Sequence, residues 1–334
     1  MQNEIPAAIA EIGKPFADSR FNVYDIQIDS ADADGVVLTG RVLDQHTLDV
    51  LTSGLHARYP ALKANLAQVR VLRQAEPQIL SVATNQTSLH RDTSFLSEQV
   101  TQMTFGMRLE VLEERDRWVY IRQVADGYQG WAYRPYLTDD LPAAATHIVC
   151  AGVSALRAEP RADALLLSRL VIGTRIPVSE VRGGWARTAA NYPGWVPAAD
   201  LRALDALPQS AEDRRRQMVA DSFAMLGVPY LWGGVSSLGI DCSGLAQLLH
   251  KLAGIDISRD ADTQFFGGRV IEPPFRPGDL VFYGEDGHIT HVSMSLGGWT
   301  VMHSSRARNG VYVDDVQSVP HLKESYCGAC TYLD

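Results

Sequence analysis

The sequence is poor in cysteine, has no long apolar run and carries no excess of basic residues. Its 334 residues include only four cysteines, at positions 150, 242, 327 and 330, too few and too unevenly spaced for a disulfide scaffold. No run of about 18 consecutive apolar residues occurs, so no membrane-spanning helix is expected. The formal net charge of −9 argues against binding to a nucleic-acid backbone or to an anionic membrane. We therefore expect no nucleic-acid and no membrane partner.

Targeting and metal-binding signals are also lacking. The start Met1-Gln2-Asn3-Glu4 has no basic segment followed by an apolar one, so no signal peptide is visible. If this is the natural amino terminus, the expected location is the cytoplasm; a removed leader would place the protein in the periplasm or outside the cell. Cys327-Gly-Ala-Cys330 has no second pair to complete a zinc site, and we interpret it as two thiols in a carboxyl-terminal strand. No metal and no cofactor are expected.

Length and composition favour two to four globular domains, because 46% of the residues are apolar and 21% are charged. Residues 1–78 predict a small α+β domain that loosely resembles the BON-type fold. Its predicted strands are 21–28, 35–40 and 69–72, which are rich in β-branched and aromatic residues. Its predicted helix is 46–58, where leucines recur at spacings of three and four.

An internal repeat follows, and it predicts two small β-barrels. Trp118 lies 12 residues after Gly106, and Trp185 lies 12 residues after Gly173. Each copy ends in a Gly-Trp pair, and short alternating segments are separated by glycine-rich turns. The copies, at 79–141 and 142–206, resemble bacterial SH3-like barrels; the second ends in Tyr192-Pro-Gly-Trp195. Trp118 and Trp185 could be ligand platforms, but we interpret them as barrel core.

The pattern changes again in the last part of the chain, 207–334, where Cys242 stands at the start of a predicted helix. A first helix is predicted at 212–226. After the cysteine, leucines at 245, 248, 249 and 252 recur at helical spacing, and Gly254 is a candidate carboxyl-terminal cap. Unpaired N–H groups and the helix dipole favour a thiolate at the first turn, which would make Cys242 a nucleophile. The alternative is a buried structural thiol.

Two histidines are candidates for the partner base. Predicted strands at 278–283, 291–297 and 299–303 place His291 and His303 on neighbouring strands of a hairpin that turns at two glycines. One imidazole can then act as a base while the other fixes its tautomer. His288 falls in a predicted turn, and we interpret it as a solvated loop residue.

These residues also carry a family resemblance. Asp241-Cys-Ser-Gly, the segment 276–282, His291-Val and His303 resemble the NlpC-type cysteine peptidases, which have a papain-like α+β fold. Together with two SH3-like barrels, the set is similar to the γ-D-glutamyl-L-diamino acid endopeptidases of murein recycling. The resemblance implies an acyl-enzyme mechanism in which Cys242 attacks the γ-D-glutamyl carbonyl, His291 transfers the proton and His303 orients His291. The Cys242 N–H would contribute to the oxyanion hole.

The resemblance further implies a murein peptide substrate with a free amino-terminal L-Ala. The substrate ammonium would be held by Asp241, Glu98 and Tyr128, with Ser243 lining the site and the Tyr230 hydroxyl beside the thiol. Asp241 could instead be a plain helix cap, and the two barrel residues could be ordinary surface side chains. One departure is visible at position 261, where related enzymes often carry serine and this chain has alanine.

Two other functions compete with hydrolysis. The first is a non-catalytic wall-binding protein, in which the barrels bind peptidoglycan and the papain-like domain is inert. The second is an acyltransferase, since an amine can intercept an acyl-enzyme in place of water. The sequence does not distinguish diaminopimelate from lysine as the diamino acid.

Overall fold

The computed structural model describes residues 4–32, 35–189 and 193–333; Met1 to Asn3 and Tyr192, which the sequence analysis used, lie outside them. The chain forms two compact units, 1–80 with 109–134 and 81–108 with 135–334, here called unit 1 and unit 2. Residues of the first predicted barrel belong to both units. Within the described ranges, no helix combines the length and the hydropathy needed to cross a membrane.

The described residues contain six α-helices, several 3₁₀-helices and many short strands. The α-helices are α1 (Ile5–Gly13), α2 (Gln45–Arg58), α3 (Ala211–Phe223), α4 (Cys242–Leu252), α5 (Ala261–Gly267) and α6 (Pro320–Ser325). The 3₁₀-helices are Lys14–Phe16, Arg134–Tyr136, Ala198–Asp200, Leu204–Ala206 and Arg306–Arg308. The first ten strands are β1 (Tyr24–Ala31), β2 (Gly35–Val42), β3 (Lys63–Val71), β4 (Ile79–Val82), β5 (Gln86–His90), β6 (Gln99–Thr104), β7 (Arg108–Arg115), β8 (Trp118–Gln123), β9 (Gln129–Tyr133) and β10 (Leu137–Thr138).

The remaining strands fall into two groups. The second repeat contains β11 (His147–Val149), β12 (Val153–Arg157), β13 (Leu166–Val171), β14 (Arg175–Ile176), β15 (Val178–Arg182), β16 (Trp185–Thr188), β17 (Gly194–Pro197) and β18 (Leu201–Ala203). The last part of the chain contains β19 (Val235–Ser236), β20 (Gly239–Ile240), β21 (Arg269–Val270), β22 (Leu280–Glu285), β23 (His288–Gly297), β24 (Thr300–Ser305), β25 (Gly310–Asp315) and β26 (Tyr326–Thr331).

Unit 1 contains the small α+β fold expected for the amino-terminal region. Strand β1 pairs antiparallel with β2, and β2 pairs parallel with β3. Helix α2 matches the predicted helix 46–58 and is capped by Asp44, whose carboxylate accepts a hydrogen bond from the Thr47 N–H at 3.0 Å. Helix α1 was not predicted; its Ile5 and Ile9 side chains are buried against the same core. Strands β7, β8 and β9 form an antiparallel meander in the same unit.

The second repeat folds into two small antiparallel sheets in unit 2, ordered β14-β11-β18 and β13-β12-β17-β16-β15. The two repeat tryptophans differ in burial: Trp118 is 8% exposed, whereas Trp185 is only partly buried. The assignment of Trp185 to the core is therefore wrong. Trp195 of the same sheet is the buried tryptophan of this repeat, with the Arg182 guanidinium 4.9 Å from its ring centre.

The carboxyl-terminal part of unit 2 is a six-stranded sheet, ordered β21-β26-β22-β23-β24-β25, with α4 packed on it. The three strands predicted at 278–283, 291–297 and 299–303 are present as β22, β23 and β24. His288 begins β23 opposite Glu285, so its placement in a turn is wrong, although the side chain is exposed. Asp286 and Gly287 both have positive φ and close the hairpin in two residues, so the strand resumes at His288.

Candidate active site

Cys242 is the first residue of α4, as the sequence predicts. Asp241 caps the helix, its carboxylate accepting a hydrogen bond from the Gly244 N–H at 2.7 Å. Leu245, Leu248 and their partners bury one face of α4 in the core of the sheet. The helix ends where the sequence predicts, since Gly254 follows the last turn with a φ of +81°. The cap and the buried face therefore fix the position of the Cys242 side chain.

Gly244 of the Cys-Ser-Gly motif is required by close backbone packing. A Cβ atom there would lie 2.2 Å from the Gly234 carbonyl oxygen. We expect Gly244→Ala to destabilise the protein by about 1–3 kcal/mol, because the start of α4 must shift away from that carbonyl. Urea unfolding measures the loss. Gly152→Ala is the matched control, since a Cβ there meets atoms only at 3.5 Å; equal stability losses in both variants would contradict the packing argument.

His291 and His303 lie side by side on β23 and β24, which confirms the predicted hairpin neighbourhood. The His291 Nε2 and His303 Nδ1 atoms are 2.7 Å apart and share a hydrogen bond. The strands carrying them pair Met294 with Met302. Val292, the residue after His291, donates its backbone N–H to the Cys242 sulphur. The imidazole pair is thus next to the thiol along β23, and the catalytic roles of the three residues stay predictions.

The thiol does not have the lowered pKa that its helix position predicts. Burial raises the pKa of Cys242 to about 12, and the negative charge of Asp241 adds to the rise. Backbone N–H groups of Val292 and Ser243 and the charge of Arg259 act in the opposite direction. The expectation of a resting thiolate is therefore wrong, because desolvation outweighs the helix terminus. Burial therefore favours the neutral form of the Cys242 thiol.

Burial also lowers the pKa of both imidazoles below the usual value of 6.5. The charge of His291 lowers the pKa of His303 further, and the charge of His321 lowers the pKa of both imidazoles. A neutral imidazole is the form that can accept a proton from the thiol. The raised pKa of Cys242 and the lowered pKa of His291 both favour the neutral forms of the two groups.

The pH dependence of kcat/KM follows from the raised pKa of Cys242 and the lowered pKa of His291. Activity is expected to be lost as the pH falls through the lowered pKa of His291, because protonation removes the base. The midpoint of this acid limb should therefore lie well below 6.5, with no rise near neutral pH from thiol ionisation. A pH profile of kcat/KM measures it, with acid unfolding followed separately by fluorescence. A limb centred at 6.5 or above, in protein that stays folded, contradicts the burial argument.

Arg259 is a buried residue at the site whose role the sequence analysis missed. Its guanidinium is 2.7 Å from one Asp241 carboxylate oxygen and 3.0 Å from the other. It also donates to the Ser243 hydroxyl at 2.8 Å and to the Thr101 hydroxyl at 2.8 Å. The Asp241 carboxylate further accepts the Gly233 N–H at 2.8 Å. Asp241 thus has the cap role that was the alternative, and Arg259 joins it to strand β6; burial of an arginine is not a signal that sequence spacing carries.

Tyr230 and Trp232 precede the cysteine on an exposed segment. Burial raises the pKa of the Tyr230 phenol, with further contributions from charges at Cys242 and Asp241, as expected for a hydroxyl near the thiol. The Arg306 guanidinium lies 5.4 Å from the Tyr230 ring centre and 5.3 Å from that of Trp232. This cation was also missed, because it lies 64 positions beyond the cysteine in the sequence.

The two barrel residues have different surroundings. Glu98 precedes β6, and its carboxylate accepts hydrogen bonds from Trp232 Nε1 at 3.0 Å and from Arg91 Nε at 2.6 Å. Tyr128 belongs to unit 1, where it is buried with its ring centre 5.7 Å from that of Phe21. Glu98 thus contacts the segment that carries Tyr230, whereas the substrate role of Tyr128 stays a prediction. No cluster of metal-ligating side chains occurs among the residues that the structure describes.

Comparison with known proteins identifies two regions of the chain. Residues 227–330 match the NlpC/P60 family, and residues 89–132 match the bacterial dipeptidyl-peptidase SH3 domain. The γ-D-glutamyl-L-lysine dipeptidyl-peptidase of Bacillus subtilis is 28% identical over 238 residues, which cover 67% of this chain and 78% of that protein. The protein of that name from Bacillus cereus is 26% identical over 260 residues, covering 70% of this chain and 75% of the relative.

A solved structure shows the same fold. An NlpC/P60 family protein from Bacillus cereus aligns with a TM-score of 0.68 at 22% identity, covering 77% of this chain and 100% of that one. The likeness agrees with the predicted α+β fold class of a papain-like domain with SH3-like barrels. The chain therefore carries an NlpC/P60 domain, preceded by a bacterial SH3 domain.

Proposed function

We propose that this protein is a cysteine peptidase that hydrolyses the bond between γ-D-glutamate and an L-diamino acid in peptidoglycan-derived peptides. The observation that carries the proposal is the hydrogen-bonded pair of His291 on β23 and His303 on β24, next to Cys242. A nucleophile at a helix start, a neutral base and an orienting group are the parts that acyl transfer through a thioester requires.

The proposed reaction uses the neutral groups described above. The Cys242 thiol proton moves to His291 as the sulphur attacks the γ-glutamyl carbonyl carbon, and the carbonyl electron pair moves to its oxygen. Backbone N–H groups at the start of α4, that of Cys242 among them, stabilise the oxyanion. His291 then gives the proton to the leaving amine, the C–N bond breaks, and a thioester remains. Water, activated by His291, hydrolyses it and restores the thiol.

The substrate class follows from the relatives and from the barrel. Two relatives are named for cleavage at γ-D-glutamyl-L-lysine. In this chain, Gln99 Nε2 donates to the Trp232 carbonyl at 2.8 Å, beside the Glu98 contact, so the start of β6 is fixed on the segment next to Tyr230. The Glu98 carboxylate has further lone pairs beyond the two that Trp232 and Arg91 occupy. We propose that Glu98 binds the free ammonium of an amino-terminal L-Ala and that the barrel limits the length of the bound peptide.

Mass spectrometry of two matched peptides tests the proposal. L-Ala-γ-D-Glu-diaminopimelate should release L-Ala-D-Glu, whereas its N-acetylated form should be cleaved far more slowly because it lacks the ammonium. Glu98→Gln should reduce the difference in cleavage rate between the free and the N-acetylated peptide. Glu180→Gln, a substitution of a partly exposed glutamate on the second repeat that is paired with Arg182, should leave this difference in cleavage rate unchanged. A third peptide with L-lysine in place of diaminopimelate determines the diamino-acid preference.

The other outcomes separate the competing functions. Equal cleavage of the free and acetylated peptides would keep the peptidase and reject the ammonium site. Transfer of L-Ala-D-Glu to an added amine, in preference to water, would favour an acyltransferase. Binding of peptidoglycan without cleavage of any peptide would favour an inert, wall-binding domain.

A further inference from the structure

An acidic residue lies behind the imidazole pair, on the side away from the thiol. Asp314 is on β25, next to β24, and its Oδ2 atom is 3.3 Å from His303 Nε2. Both side chains are buried, at 1% exposure for His303 and 7% for Asp314. The other carboxylate oxygen of Asp314 accepts a hydrogen bond from Arg308 at 2.9 Å. The row of hydrogen-bonded groups is therefore His291, His303, Asp314 and Arg308.

The hydrogens of this row can be assigned from elementary chemistry. A neutral imidazole has one N–H and one acceptor nitrogen, and a carboxylate only accepts. His303 must therefore carry its hydrogen on Nε2, donating it to Asp314, which leaves Nδ1 as an acceptor. His291 then donates from Nε2 to that nitrogen. The remaining nitrogen of His291, Nδ1, has no hydrogen and can accept one.

Without the carboxylate, the imidazole pair would have two arrangements of similar energy. In the second arrangement His303 Nδ1 donates to His291 Nε2, and the hydrogen of His291 lies on Nδ1. That form of His291 cannot accept a proton from a thiol at Nδ1. We propose that Asp314 is a positioning residue that selects, through His303, the tautomer of His291 able to accept the Cys242 proton.

The proposal rests on the proposed roles of Cys242 and His291 as nucleophile and base. When the S–H proton moves to His291 Nδ1, the ring becomes an imidazolium and keeps its Nε2 hydrogen bond to His303. The negative charge of Asp314, two hydrogen bonds away, favours that cation. Arg308 holds the carboxylate in place and stacks on Tyr312 at 4.4 Å. Asp314 touches neither the substrate nor the thiol in this scheme, so its effect passes entirely through His303.

Nitrogen-15 spectroscopy of histidine-labelled full-length protein tests the assignment directly. The wild type should show the Nε2–H tautomer for both rings, identified by comparison with His291→Gln and His303→Gln. Asp314→Asn presents an amide that can donate to His303 Nε2, so His291 should change to the Nδ1–H tautomer. The same variant should lose about 100-fold in kcat with little change in KM, because only the base is affected. Alkylation of Cys242 by iodoacetamide should slow in parallel.

Asp315→Asn is the matched control. It makes the same change on the next residue, which is exposed and bonded to the Gln317 N–H and the Ser318 hydroxyl; tautomer and kcat should stay as in the wild type. An Nδ1–H tautomer of His291 in the wild type, or an unchanged tautomer in Asp314→Asn, would overturn the proposal. The wild-type spectrum decides even if Asp314→Asn fails to fold. The spectrum is recorded without substrate. Failure to cleave the test peptides would therefore count against the proposed function and not against the tautomer assignment.

Discussion

Cys242→Ala is expected to lower kcat on the γ-D-glutamyl peptide by about 10⁴-fold or more. The variant removes the sulphur that would form the thioester, and neither His291 nor the oxyanion donors can replace a nucleophile. The substitution removes one atom from a partly buried position, so the fold should persist. Product mass spectrometry measures the loss, and intact-protein mass spectrometry of the wild type should show a transient adduct of L-Ala-D-Glu on the thiol.

The chain provides its own control for this change. Cys327 is an exposed thiol on β26 of the same sheet, and Cys327→Ala should keep full activity. Activity that survives Cys242→Ala in protein free of wild type would falsify the nucleophile assignment. Loss of activity in both variants would point to a general sensitivity of the sheet to substitution.

Arg259→Met should have the largest effect on stability, with a loss of about 3–5 kcal/mol in the free energy of unfolding. Methionine keeps most of the buried stem, but the Asp241 carboxylate is left without its ion-pair partner at 5% exposure. The Ser243 hydroxyl and the Thr101 hydroxyl each lose a hydrogen bond as well. Since Asp241 caps α4, the strain reaches the residue that carries the thiol.

Urea unfolding measures this loss, and two further variants isolate its cause. Arg276→Met makes the same substitution in the exposed pair with Glu212 and should change stability little, because water already solvates both charges. Arg259→Lys should recover part of the stability by restoring the charge, but not all of it, since one ammonium cannot reach both carboxylate oxygens and two hydroxyls. If Arg259→Met is as stable as Arg276→Met, the buried pair has no structural role.

The fold could largely be predicted from local patterns. Helices α2 and α4 and strands β22, β23 and β24 were predicted close to their observed bounds, because their leucine and β-branched spacing reflects which face is buried. The internal repeat predicted that residues 142–206 form a β-structure, which is present as the two antiparallel sheets of the second repeat. Helix α1 was not predicted, although Ile5, Ile9 and Ile12 recur at spacings of four and three. Trp185 was assigned wrongly because spacing alone cannot tell which tryptophan of a barrel is covered.

The sequence by itself determined the catalytic candidates, because Cys242 follows a capping residue and a glycine turn brings His291 to His303. Only the tertiary structure decided the protonation of these groups, since desolvation depends on the residues that cover them, and it reversed the expected thiolate. It also decided the partners of Asp241. Arg259 and Asp314 reach the site from separate parts of the fold. Contacts between charged residues far apart in the chain produce no spacing pattern from which a single sequence could predict them. The positions of Arg259 and Asp314 follow from packing alone.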